Sequence, residues 1–186
     1  RRFDPDPKRH ALYRERFETY RNLYPLTEHC RDAAVPAIGI IDAGVDLFHQ
    51  ALAADPAGSI LILGTRTTVQ SNIHRDRLMQ KGIAAARIAA ASCHGLAAAI
   101  DQDPGSPATA ELIRKCAAHA SAAPLPGDRI YAGLCCTPYS YIAQGLSGAL
   151  ATRSGREVLI LDPKQGLVDS LAPLPPAGGG APEITV

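Results

Sequence analysis

In RIYAGLCCTPYSYI, residues 129–142, an apolar run ends in two adjacent cysteines, Cys135 and Cys136, followed by Thr137. A thiol in that place has two physical readings. Cysteine packs as a small, soft hydrophobe; partly exposed at a helix start, where N–H groups favour the thiolate, it becomes a base or a nucleophile. Other apolar runs also end in small polar residues: Asp42-Ala43-Gly44, Gly64-Thr65-Arg66-Thr67-Thr68 and Ser92-Cys93-His94-Gly95. Threonine hydroxyls and backbone N–H groups at helix starts suit a carboxylate, yet Ser92 and Thr137 serve equally well as ordinary helix caps. His74 and His94 have no evident partner, and a structural or solvent-facing role fits both.

The elements that must position these groups follow from the spacing of apolar residues. Runs at Ala37–Ile41, Ser59–Leu63, Ala86–Ala91 and Arg129–Leu134 are apolar nearly throughout, as strands covered on both faces are. A fifth run, Glu157–Leu161, precedes Asp162-Pro163, which opens a short helix to about Leu171. Helical spacing falls between them, over Val45–Ala54, Val69–Gln80, Pro107–Ala120 and Tyr139–Ala149, with Ser106 as cap and Pro107 in the first helical position. Alternation of this kind predicts βαβ units: a three-layer, flavodoxin-like α/β domain around a parallel sheet, over residues 35–172. Ligands of such sheets bind beyond the carboxyl ends of the strands. Ahead of the domain, residues 1–31 read as an amphipathic helix with Tyr13, Phe17, Tyr20 and Tyr24 in one stripe. Residues 173–186, rich in proline and glycine, are expected to be disordered.

Bulk properties narrow the function classes. A net charge of +1 gives no electrostatic footprint for nucleic acid or an anionic membrane. No apolar stretch approaches the roughly 20 residues that span a bilayer, and the N-terminus has no apolar signal core. The chain does not begin with methionine, so a processed or partial chain is expected. Five cysteines without paired CxxC spacing predict neither a metal site nor a disulfide framework, and free thiols in a reducing cytoplasm fit better.

Five phrases in order then resemble the second half of glutamate racemases, within the aspartate/glutamate racemase family: VPAIGIIDAGV, ILILGTRTTVQSNIHRD, AASCHGL, AGLCCTPYSYI and VLILDP. The resemblance implies cofactor-independent racemisation of a free amino acid such as glutamate or aspartate, with no metal and no pyridoxal phosphate. One cysteine stands on each face of the substrate; one thiolate removes the Cα proton and the opposite thiol delivers another. By position, Cys136 takes the place of the catalytic cysteine of the C-T-H motif and Thr137 that of its threonine. Thr65 and Thr68 match the loop that contacts the substrate carboxylate, Cys93 matches a cysteine that is not a base, and Asp42 lies near the rim. An enzyme of this type supplies D-glutamate for peptidoglycan in a bacterial cytoplasm.

The departures are equally specific. Pro138 stands where the family has histidine, and Ser140 replaces the following proline. No D-S-G-x-G-G or C-N-T phrase of the first lobe is present, and Cys30, flanked by His29 and Arg31, is no convincing substitute. The function left open is therefore an isomerase, an inactive relative, or a non-catalytic lobe that binds a carboxylate or a protein. A homo-oligomer, or a partner supplying the missing lobe, would restore a second thiol. RRFDPDPKRHALYRERFETYRNLYPLTEH resembles the C-terminal tail of FGGY sugar kinases such as xylulokinases, which makes a kinase fragment a further alternative.

Overall fold

The structure, a computed structural model, describes residues 39–165 and 167. The aromatic helix, the kinase-tail-like stretch and the proline- and glycine-rich end lie outside those residues. Four strands, β1 (Ser59–Gly64), β2 (Ile88–Ser92), β3 (Arg129–Cys135) and β4 (Glu157–Leu161), form one sheet in the order β2-β1-β3-β4. Every pairing is parallel, with Gly64 opposite both Ser92 and Cys135. The helices are α1 (Ile40–Ala54), α2 (Arg66–Gln70), α3 (Ile73–Gln80), α4 (Leu96–Gln102), α5 (Pro107–Ala120) and α6 (Ala143–Ser154). Among the described residues no helix is long and apolar enough to cross a membrane.

The pleat divides the core into two layers. Successive side chains of a strand point to opposite faces. Ile60 and Ile62 of β1, with Tyr131 of β3, therefore pack against Val45, Phe48 and Leu52 of α1 and Leu78 of α3. On the other face Leu61, Leu63, Ala132 and Leu134 pack against α4, α5 and α6 through Leu96, Ile113 and Leu146. Three layers with helices on both sides are the expected architecture. The middle of the sheet is tightest where the Phe48 ring lies on Gly133: a Cβ there would sit 2.6 Å from Phe48 Cζ.

The expected strand at Ala37–Ile41 is corrected within the described residues. Gly39 is irregular, and Ile40 and Ile41 form the first turn of α1. Ile41, Val45, Phe48 and Leu52 are spaced by four, three and four residues and face one cluster, so helical periodicity outweighs the local apolar run. The helix expected over Val69–Gln80 is two helices, broken at Asn72, which takes the left-handed conformation at φ 53°. The Tyr139–Ala149 helix divides into a 3-10 turn, Thr137–Ile142, followed by α6. Helix α4 was not expected, because a short helix with three consecutive alanines carries little periodic signal. At α5, Ser106 accepts a hydrogen bond from Thr109 N at 3.1 Å and Pro107 opens the helix.

The expectation of free thiols is corrected at one pair. Cys93, just past β2, and Cys116 of α5 are joined as a disulfide, their Cα atoms 5.1 Å apart. An odd cysteine count excludes complete pairing, not a single bond between two elements that already pack together. Cys135 and Cys136 are free.

Two glycine substitutions should separate packing from propensity. Gly133→Ala is expected to lower stability by about 1–3 kcal/mol, because the buried Phe48 ring must move. Gly148→Ala, with no atom within 4 Å of the added Cβ, should raise stability by up to about 1 kcal/mol through helix propensity in α6. Urea unfolding monitored by circular dichroism measures both, and equal midpoints for the two variants contradict the close approach.

Candidate functional site

Parallel strands deliver their carboxyl ends to one edge, and the polar residues that follow them meet there. A cavity of about 240 Å³ opens on this edge, lined by residues of α1, α2, α3, the end of β3 and the segment after β4. Its polar groups are Thr67, Thr68, Ser71, His74, Cys135, Cys136, Thr137 and Lys164. Its apolar wall is made by Ile40, Ile41, Ile73, Leu134 and Pro163. Pro163 reaches α1 because Gly44 has no side chain; a Cβ there would lie 3.1 Å from Pro163 Cγ.

Three of the four sequence-predicted site residues share this cavity. Cys136, Thr68 and Thr137 line it; Thr65 does not. Thr65 caps α2, accepting from Thr68 N at 3.3 Å, and the two hydroxyls stand 2.9 Å apart. It thus braces Thr68. Asp42, exposed in the first turn of α1, pairs with Arg77 of α3 and lies outside the cavity. Cys93 is committed to its disulfide, and the Ser92 hydroxyl is buried without a partner.

The loops after β3 and β4 are knitted together over the rim. The Ser140 hydroxyl bonds the Asp162 carboxylate, whose other oxygen accepts from Lys164 N at 3.0 Å. Lys164 Nζ donates to Thr137 O at 3.0 Å and lies 5.5 Å from the Tyr141 ring centre. Ser140, at the position of the family's proline, is therefore a tether.

The two free thiols face opposite layers: Cys136 packs against the α4–α5–α6 core and Cys135 against the α1–α3 core. Burial pushes the Cys135 thiol up to about 12, and its neighbour Cys136 adds to the shift. Burial also raises the Cys136 pKa; a hydrogen bond with Tyr139 opposes this, and the charge of Asp101 reinforces it. The lowered thiol pKa expected at a helix start is thus reversed, because a six-residue 3-10 turn offers little field against desolvation. Cys136 is thus held in the thiol form near neutral pH.

Sequence reasoning missed the depth of His74. Its side chain is buried at the cavity wall beside Phe48, with ring centres 6.3 Å apart, and its Nδ1 has no partner. Burial, then the charge of Arg77, lowers its pKa, so the imidazole is neutral near pH 7. His94 is exposed. Lys164 was missed too, since nothing in the sequence places the segment after β4 beside Thr137. Among the described residues no three His, Cys, Asp or Glu side chains form a metal-binding group.

The described lobe is thus an all-parallel α/β domain with a thiol and hydroxyls on its carboxyl edge, the edge where domains of this class take their ligands. Residues 24–171 match the family described as Asp/Glu/Hydantoin racemase, and the chain belongs to that family. No curated protein matches the chain. Two crystal structures share the fold. A glutamate racemase from Campylobacter jejuni subsp. jejuni is 20% identical, with a TM-score of 0.56, covering 72% of this chain and 49% of that one. A glutamate racemase isoform from Bacillus anthracis is also 20% identical, with a TM-score of 0.60, covering 81% of this chain and 51% of that one. The chain thus spans about half the length of either.

The thiol environments give a direct check. Alkylation by iodoacetamide, followed peptide by peptide in mass spectrometry, is expected to rise at lower pH for Cys136 than for Cys135. Equal rates for the two at about pH 9, close to the unperturbed thiol value, would contradict the difference in burial.

Proposed function

We propose that this lobe forms one side of a cofactor-independent amino-acid racemase site, with Cys136 as proton donor and Thr68 and Thr137 as carboxylate ligands. The observation that carries the proposal is the single cavity shared by that thiol and those two hydroxyls. A Cα–H bond is a very weak acid, so the carboxylate must be held by donors in a site that excludes water. Thr68, braced by Thr65, and Thr137, whose carbonyl is held by Lys164, are fixed donors of that kind. The apolar wall limits water, and the neutral His74 adds no competing charge.

In this mechanism a proton leaves Cα for a thiolate on one face while the Cys136 S–H gives its proton to the other. The centre inverts, and each sulfur ends in the state the other began in. A single sulfur cannot flank both faces, so the opposing thiol comes from outside the described residues, on a first lobe or a partner chain. Glutamate or aspartate as substrate, and a role in D-glutamate supply for peptidoglycan in a bacterial cytoplasm, complete this reading. A second reading, a lobe that binds a carboxylate without turning it over, is favoured by Pro138, which places no proton-carrying side chain beside Cys136.

Deuterium entry at Cα discriminates the two. Incubated in heavy water with L- and D-glutamate or aspartate, the protein is expected to label at least one enantiomer, as read by proton NMR, and Cys136→Ser should abolish the labelling. Binding without label in the parent protein sinks the racemase assignment and leaves the carboxylate-binding lobe. Thr68→Val should weaken binding of the same amino acid about tenfold, the loss expected for one hydrogen bond to a charged group; calorimetry measures it.

A further inference from the structure

The cavity at the carboxyl edge is unbalanced in charge. Among the described residues that line it, Lys164 is the one cation, and no aspartate or glutamate stands with it. The other polar groups there are hydroxyls, two thiols and the neutral His74. Lys164 Nζ donates to Thr137 O at 3.0 Å and lies 5.5 Å from the Tyr141 ring centre, and both of these partners are uncharged. An ammonium has three hydrogens to donate, and one carbonyl takes only one of them. The Asp162 carboxylate, two residues back, is occupied by the Ser140 hydroxyl and by Lys164 N. No ion pair among the described residues includes Nζ.

That imbalance discriminates between ligands. An amino acid with a neutral side chain is a zwitterion of zero net charge, and binding it leaves the lysine uncompensated. An amino acid with a second carboxylate brings one negative charge and balances the cavity. Complementary charge of this kind selects one ligand over its neutral analogue. Reach permits it as well. Nζ is bonded to the carbonyl of the residue whose hydroxyl lines the cavity, so covalent geometry keeps the two within about 8 Å. A short dicarboxylic acid spans such a gap with a hydrogen bond at each end.

We propose that Lys164 is the specificity-determining residue of this cavity, its ammonium binding the side-chain carboxylate of a dicarboxylic amino acid. The hydroxyls of Thr68 and Thr137 hold the α-carboxylate of the same molecule. The Thr137 carbonyl and the Tyr141 ring restrain the ammonium at the rim before the ligand arrives, which lowers the ordering cost of binding. The role belongs to no phrase that carries the family resemblance, since VLILDP ends at Pro163.

The inference rests on the proposed site accepting an amino acid, but its test is a binding ratio and needs no turnover. Calorimetry on the full chain compares glutamate with glutamine and aspartate with asparagine, each in both enantiomers. The members of a pair differ only in the second charge. The acid of at least one pair is expected to bind about tenfold tighter than its amide, as one hydrogen-bonded charge pair allows. Lys164→Met, which keeps the stem and removes the charge, should erase that preference while leaving the amide within about twofold. Lys164→Arg should retain it. Lys164→Gln, whose amide can still donate to Thr137 O, decides if Lys164→Met does not fold. Ser140→Ala cuts the other tie between the same two segments without touching the charge, and should leave the ratio in place.

Equal loss of acid and amide in the uncharged variants, or a parent protein that does not prefer the acid, overturns the proposal. Cα exchange is read separately. A preference abolished by Lys164→Met without exchange keeps this inference and removes the racemase reading; exchange with an unmoved ratio does the reverse.

Discussion

Four strands running the same way impose the constraint on which the rest of the structure depends. A parallel strand cannot turn straight back into its neighbour; it must cross over, and each crossover brings the chain out at the same edge. Every residue after a strand is therefore delivered to one rim. Thr65 and Thr68 after β1, Cys93 after β2 and Thr137 after β3 lie far apart in sequence, and the register puts Gly64, Ser92 and Cys135 side by side beneath them. The cavity sits where these ends meet the first turn of α1.

The rim is held from below and from above. From below, the Tyr139 hydroxyl spans the ends of β1 and β2. From above, Asp162, Ser140 and Lys164 tie the segment after β4 to the turn after β3. Neither brace involves a metal or a long-range ion pair; both use short polar links at the places where the strands stop. Fixed donors need no reorganisation when charge appears on a ligand, which is the property carboxylate recognition requires.

Much of the fold was legible because it rests on local signals. Apolar runs marked β1, β2, β3 and β4 to within a few residues, and the Ser106-Pro107 start of α5 stands where cap chemistry puts it. The misreading at Ile40 and Ile41 came from weighing an apolar run above a helical stripe whose later members, Phe48 and Leu52, lie well downstream. At the candidate site, Cys136, Thr68 and Thr137 were visible through family resemblance. The placement of Thr65 as a brace, the burial of His74 and the arrival of Lys164 all depend on which elements touch. No residue spacing encodes those contacts. The disulfide was hidden for the same reason: Cys93 and Cys116 are close only because α5 packs on the sheet beside β2.

The opposed orientation of Cys135 and Cys136 has one more consequence. Adjacent sulfurs in different core layers make the chemistry of the rim a matter of strand phase. Inserting a single residue within β3 would carry the Cys135 sulfur to the face now held by Cys136, and deleting one would put Thr137 there and turn Cys136 toward the α1–α3 layer. A change of one in the length of that strand therefore replaces the group presented on each face of the rim at once.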